Sequence, residues 1–149
     1  MKTIISNSLE ETQNLAHDWL DSLPIQKDEA TIVGLYGNLG SGKTTFVQAV
    51  ARELGIKEVV TSPTFVIEKI YETGHAHFAR LIHIDAYRLE NGRELQALNF
   101  EELVENKNNL ILIEWPENVK EILPENHLKI LCEFIDENSR KFEIISPLA

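Results

Sequence analysis

Ala30-Thr31-Ile32-Val33-Gly34-Leu35-Tyr36-Gly37-Asn38-Leu39-Gly40-Ser41-Gly42-Lys43-Thr44 is the stretch on which the reading of this chain turns. Its first seven residues are nearly all apolar, as in a short strand buried on both faces. Gly37 to Thr44 then match Gly, four variable residues, Gly, Lys and Thr. Average composition would produce that match in a chain of this length about one time in a hundred or fewer. A helix is predicted from near Lys43 through Phe46, Val47, Val50, Ala51 and Leu54 to Gly55, which suits a C-terminal glycine cap. Strand, glycine loop and helix in this order make a P-loop. The glycines let backbone N–H groups converge on phosphates, and the helix N-terminus adds partial positive charge. Lys43 reaches the outer phosphates and Thr44 offers a hydroxyl to magnesium.

Such a loop needs an acid at the end of a neighbouring buried strand, placed to hold the metal or its water shell. Two strands end that way: Leu110-Ile111-Leu112-Ile113-Glu114, which is cleanly apolar, and Leu81-Ile82-His83-Ile84-Asp85, which a histidine interrupts. Glu114 is favoured on the metal, with Asp85 a second acid orienting a water or a coordinated group; the alternative for each is a solvated strand-end carboxylate. His83, Asp85 and Tyr87 alternate and so share a face while strand geometry lasts. His83 reads equally well as a satisfied, partly buried imidazole, and Arg88 either stabilises phosphate charge or pairs with Asp85 or Glu90. Thr61-Ser62-Pro63-Thr64-Phe65 follows the P-loop helix, where a loop sensing the terminal phosphate would lie; a plain turn is the competing reading. His75 and His77 lack companion ligands and read as a solvent loop.

Outward from these motifs, Ser8 and Glu11 form a capping box opening a helix whose inner face carries Leu9, Thr12, Leu15, Ala16, Trp19, Leu20 and Leu23, ending before Pro24. Further strands are predicted at Phe65 to Tyr71, Arg80 to Ala86 and Leu110 to Glu114, with short helices within Arg93 to Glu105. Leu128 to Ile135 and Lys141 to Ile145 flank the turn residues Asp136-Glu137-Asn138-Ser139, an antiparallel hairpin at the sheet margin. The expected architecture is α/β: a P-loop NTPase-like three-layer sandwich whose mixed sheet is parallel at its centre and antiparallel at its margin. The 149 residues suit one P-loop ATPase domain, 1–149.

The formal net charge of −10 repels phosphate backbones, so autonomous RNA binding is disfavoured and a more basic partner is implied. A lone cysteine, Cys132, leaves no internal disulfide or zinc set and reads as a core residue. With no signal-like or membrane-spanning apolar run, a cytoplasmic location is expected.

The P-loop, Ser62-Pro63-Thr64-Phe65, His83-Ile84-Asp85-Ala86-Tyr87-Arg88 and Glu114-Trp115, in this order and spacing, resemble the TsaE (YjeE) family from the Glu11-Thr12 region to Arg140. The resemblance implies a bacterial cytoplasmic ATPase, weak alone, needed for threonylcarbamoyladenosine modification of tRNA and acting with TsaD and TsaB. It implies ATP and Mg2+ as cofactors and tRNA as an indirect partner through the complex. It places Gly40, Ser41, Gly42, Lys43, Thr44 and Thr45 on phosphates, Thr44 and Glu114 on magnesium, and Asp85 with Lys43 in hydrolysis. Trp115 would lie beside the nucleotide and Thr12 would line its pocket. Asn38 departs from the aspartate common in the family. Two other readings compete. A small-molecule kinase would need an arginine-rich lid, and the five arginines are scattered. A guanine-reading switch would need Asn-Lys-x-Asp, and Asn106-Lys107-Asn108-Asn109 ends in asparagine.

Overall fold

The computed structural model describes residues 2–58, 60–61 and 67–145. Seven strands form one mixed sheet: β1 (Lys2–Ser6), β2 (Thr31–Tyr36), β3 (Glu68–Glu72), β4 (Arg80–Asp85), β5 (Asn109–Glu114), β6 (Leu128–Phe134) and β7 (Arg140–Ile145). Their order is β1-β7-β6-β2-β5-β4-β3. Strands β4, β5, β2 and β6 run parallel, whereas β7, β1 and β3 add antiparallel margins. β2 and β5 are apolar along nearly their whole length because helices cover both faces of the sheet, as parallel sheets require. This is the α/β sandwich expected from the sequence.

The helices α1 (Leu9–Ser22) and α2 (Lys43–Glu53) cover one face, joined to the sheet by Trp19, Phe46, Val33, Leu35, Leu112 and Phe142. Phe46 is fully buried, with Trp19 edge-on at 5.2 Å and Phe142 at 5.7 Å between ring centroids. On the other face α3 (Arg93–Ala97), α4 (Phe100–Val104) and a 3₁₀ segment, Pro116–Ile122, pack Leu95, Phe100, Leu103 and Val119 onto Ile82, Ile84, Ile111 and Ile113. Burying each such side chain contributes roughly 1.5–3 kcal/mol, so the two apolar layers hold the sheet at its centre, where the P-loop emerges.

Several elements differ from expectation. β1 was not foreseen: it pairs antiparallel with β7, whose residues lie far along the chain, and its mostly exposed side chains give no clear alternation. Ser8 Oγ accepts from Glu11 N at 3.1 Å as the capping box requires, while the Glu11 carboxylate accepts from Asn7 N in place of Ser8 N; Leu9 is 73% exposed and not on the inner face. By contrast, the short helices expected within Arg93 to Glu105 are present as α3 and α4, divided at Asn99, whose φ of 62° is left-handed. β3 starts at Glu68 where Phe65 was expected, and Ser62 to Val66, including most of the expected sensing loop, lie outside the described residues.

α1 and α2 are also linked at their exposed edge. His17 Nδ1 lies 2.8 Å from Glu53 Oε2, and its Nε2 lies 3.4 Å from Asp21. The bond to Glu53, then the charge of Asp21, raises His17 above its ordinary 6.5, while bonds from Gln13 and His17 lower Glu53 below 4.5. A raised histidine contributes stability below about pH 6.5 that is lost as pH rises through the folded value. The lowered carboxylate contributes above about pH 4.5 and loses its share as pH falls through its folded value. His17→Ala is therefore expected to lower the melting temperature more at about pH 5.5 than at about pH 8.5. Thermal denaturation at both values checks this, and equal losses would remove the linkage.

Candidate functional site

The loop between β2 and α2 is shaped by glycines that no other residue could replace without movement. Gly37 has φ 148°, and a Cβ there would strike the carbonyl of Cys132 and come 2.7 Å from Ser41 Oγ. Gly42, at φ 104°, caps α2, and a Cβ would sit 3.2 Å from the Arg140 stem. Backbone N–H groups at the start of α2 therefore open toward a cleft instead of being covered by side chains.

That cleft has a volume of about 330 Å³ and is lined by Gly40, Ser41, Gly42, Lys43, Thr44 and Thr45 from the loop and helix, with Asp85, Tyr87, Glu114 and Trp115 facing them. Leu39 and Arg140 complete its wall. A larger cleft of about 530 Å³ lies between β1 and α1, lined by Ile4, Leu15 and Trp19 among others, and contains none of the P-loop groups. The smaller cleft is the candidate site because the anion-binding loop and both strand-end acids meet there.

Those acids arrive by register. Asp85 stands beside Glu114 across the β4–β5 ladder, and Glu114 stands beside Leu35 on β2, so all three strands end in one layer next to the loop. Thr44 Oγ1 donates to both Glu114 oxygens, at 3.0 and 3.1 Å. Glu114 Oε2 also accepts from His83 Nε2 at 2.6 Å, with both side chains almost fully buried. Asp85 turns its Oδ1 to the backbone N–H of Tyr87 at 2.9 Å, which fixes the bend after β4. Asn118 Nδ2 braces the same bend by donating to the carbonyls of Ala86 and Tyr87 at 3.0 and 3.3 Å.

Lys43 is buried at the centre of the loop. Its ammonium donates to the carbonyls of Gly37 and Asn38 and lies 3.9 Å from the centre of the Trp115 ring. Burial lowers the affinity of this amine for its proton, opposed by the negative charge of Glu114 first and then of Glu117 and Asp85. Asn38 takes part through its carbonyl, which accepts from both Lys43 and Ser41 N, so the departure from the family's aspartate leaves these backbone contacts intact. Trp115 adopts left-handed φ 60° and ψ 48° between Glu114 and Pro116, a conformation that costs a non-glycine residue about 1–2 kcal/mol. It is disfavoured again before proline. The bend turns the indole over Lys43 and against Tyr87, with ring centroids 5.0 Å apart.

The structure thus brings together every expected site residue except Thr12. Thr12 is buried on α1, with its hydroxyl 2.7 Å from Ser6 Oγ, and does not line the cleft. Arg140 was missed as a site residue. Its guanidinium lies over Phe134, its partner across the β6–β7 ladder, at 4.6 Å and donates to the Ser139 carbonyl at 3.0 Å while its stem passes Gly42. His75 accepts from the backbone of His77 and Phe78 through Nδ1, which makes it a turn residue. Among the described residues no group of three or more His, Cys, Asp or Glu is placed to hold a metal by itself. Cys132 is buried, and burial pushes its thiol up to about 12, which suits an inert core position. Among the described residues no helix is long and apolar enough to cross a membrane.

Comparison with known proteins agrees with this geometry. Residues 6–142 match the family model described as threonylcarbamoyl adenosine biosynthesis protein TsaE. The tRNA threonylcarbamoyladenosine biosynthesis protein TsaE of Rickettsia felis is 37% identical over 96% of this chain and 79% of its own length. The protein of the same name from Bacillus subtilis is 36% identical over 74% of this chain and 66% of its length. The crystal structure of Bacillus subtilis YdiB superposes with a TM-score of 0.76 at 26% identity, covering 99% of this chain and 86% of that one. With its P-loop, its paired strand-end acids and these matches over most of its length, the chain belongs to the TsaE family of threonylcarbamoyl adenosine biosynthesis proteins.

Proposed function

We propose that this protein binds ATP with Mg2+, hydrolyses it slowly, and serves threonylcarbamoyladenosine (t6A37) formation in tRNA together with TsaD and TsaB in the cytoplasm. The observation that carries the ATPase reading is the contact between Thr44 Oγ1 and the Glu114 carboxylate, which joins the phosphate loop to a strand-end acid. A hydroxyl and carboxylate oxygens are hard donors, and Mg2+ is held by one or two such groups together with substrate phosphates and water. Thr44 and Glu114 fit that role, with Asp85 beside them. When bound, the ion would neutralise charge on the phosphates and polarise the bond to be broken.

The chain's own groups supply the rest. The glycine loop and the start of α2 present N–H groups and partial positive charge to the phosphates. Lys43 adds a full charge, and Trp115 limits where its ammonium can move. Asp85, which lines the cleft beside Glu114 and accepts from Tyr87 N through Oδ1, would orient an attacking water. Of the five arginines only Arg140 lines the cleft among the described residues, which is far from the lid that a kinase would need. The acidic surface supports an indirect relation to tRNA, through a partner that carries the basic charge.

Lys43→Ala is expected to abolish most ATP affinity or turnover while the far-ultraviolet circular dichroism stays native; normal turnover would defeat the P-loop reading. Glu114→Ala should weaken Mg2+-dependent hydrolysis more than metal-free nucleotide binding, and the reverse order would move the metal role to Asp85. For the partner role, the protein is titrated into the purified TsaD and TsaB pair with ATP, a non-hydrolysable analogue or ADP. A nucleotide can drive docking only by a difference in affinity between states, so ATP and ADP should give different partner affinities. Equal affinities, with undiminished multi-turnover modification by the pair alone, would leave an ATPase without that role.

A further inference from the structure

Between Arg80 at its start and Asp85 at its end, β4 is apolar on both faces except for His83. His83 is fully buried, where a leucine would fill space without a polar group to satisfy. Its Nε2 is 2.6 Å from Glu114 Oε2. A carboxylate in this arrangement accepts, so Nε2 carries the hydrogen. Nδ1 meets no partner among the described residues, and leaving a buried polar atom unpaired costs about 1–3 kcal/mol. A residue kept at that cost for one hydrogen bond points to the bond's recipient.

Glu114 is gripped from two sides. Thr44 reaches it from the phosphate loop and His83 from inside the sheet. The Thr44 hydroxyl belongs to the moving parts of the proposed reaction, because it is also assigned to the metal. His83 does not line the cleft, and its strand is locked in parallel register with β5. It can therefore hold Glu114 whichever partner Thr44 has.

We propose that His83 is a positioning residue whose Nε2–H fixes the Glu114 carboxylate and thereby sets the strength with which divalent metal supports nucleotide binding, without touching either ligand. The proposal rests on the metal role of Glu114 given above. Hydrogen-bond partners of metal-binding side chains act in this way, and removing one lowers metal affinity by about 10- to 100-fold.

The test uses the full chain with His83→Leu, His83→Gln and Glu114→Ala. Long-range proton–nitrogen NMR of the wild type, without nucleotide or metal, should show His83 as the Nε2–H tautomer; the Nδ1–H tautomer would overturn the proposal. Affinity for a non-hydrolysable ATP analogue is then measured by calorimetry in EDTA and in Mg2+, with melting temperatures recorded for each variant. Metal-free affinity should be unchanged in His83→Leu and His83→Gln. The gain on adding Mg2+ should fall about tenfold or more in His83→Leu and be largely kept in His83→Gln, whose amide can donate from a similar position. An undiminished gain in His83→Leu, or equal loss in both variants with lowered melting temperatures, would reduce His83 to packing and overturn the proposal. If Glu114→Ala loses the gain while His83→Leu keeps it, only the positioning role fails. If the wild type shows no gain and Glu114→Ala matches it, the metal assignment itself fails and the positioning role falls with it.

Discussion

The register of three buried parallel strands governs everything else in this protein. Leu35, Glu114 and Asp85 stand side by side at the ends of β2, β5 and β4, so the chain leaves β2 as the phosphate loop at the level where both acids end their strands. In an open α/β sheet such an edge is where ligands bind. A slip of one residue would send Glu114 to the opposite face and replace it with Ile113, since side chains alternate along a strand. The apolar packing of Ile111, Ile113, Ile82 and Ile84 against α3 and α4 resists that slip, because it would expose or misplace the whole set. The core and the site are thus specified by the same alternation.

What the site costs is visible beside what holds it. Trp115 takes a left-handed backbone in front of a proline, His83 leaves one nitrogen unpaired, and Lys43 is drawn out of water among carbonyls. Each works against folding by an amount on the order of one to a few kcal/mol. All three lie around Glu114 at or just below the strand ends, where two covered faces supply the compensating burial. Strain placed on the most firmly packed strands stays fixed, whereas the same strain on a margin strand would relax by local opening.

Most of the central architecture was legible in the sequence because its signals are local. The apolar run into the glycine loop, the capping box at Ser8 and the strands ending in Asp85 and Glu114 each need only a few consecutive residues to be read. Arg140 reaches the loop from the β6–β7 hairpin, whose packing beside β2 no local pattern announces, and β1 was not legible for a reason of its own. β1 exists by pairing with β7, and that pairing, which sets Ser6 against Arg140, links positions more than a hundred residues apart. Helical periodicity gave the buried side of Thr12, while its place at the nucleotide came only from the family resemblance; its hydroxyl meets Ser6 and it does not line this cleft.

The charges of the cleft explain why an acidic protein can serve as a nucleotide-binding one. Lys43 and Arg140 face Asp85 and Glu114 across a single small volume, so the formal charges of the side chains balance there. Polyanionic phosphates entering such a site gain from the loop N–H groups and the start of α2 but are repelled by both carboxylates. Within the proposed function, a divalent ion between Glu114 and the phosphates turns that repulsion into attraction on both sides. Metal dependence then arises from the balance of fixed charges as much as from coordination. The same balance gives the placement of Glu114 its weight: at short range a carboxylate displaced by an ångström alters the field felt by both the ion and Lys43. A site assembled on register, and held by donors on two different elements, is the arrangement that such sensitivity demands.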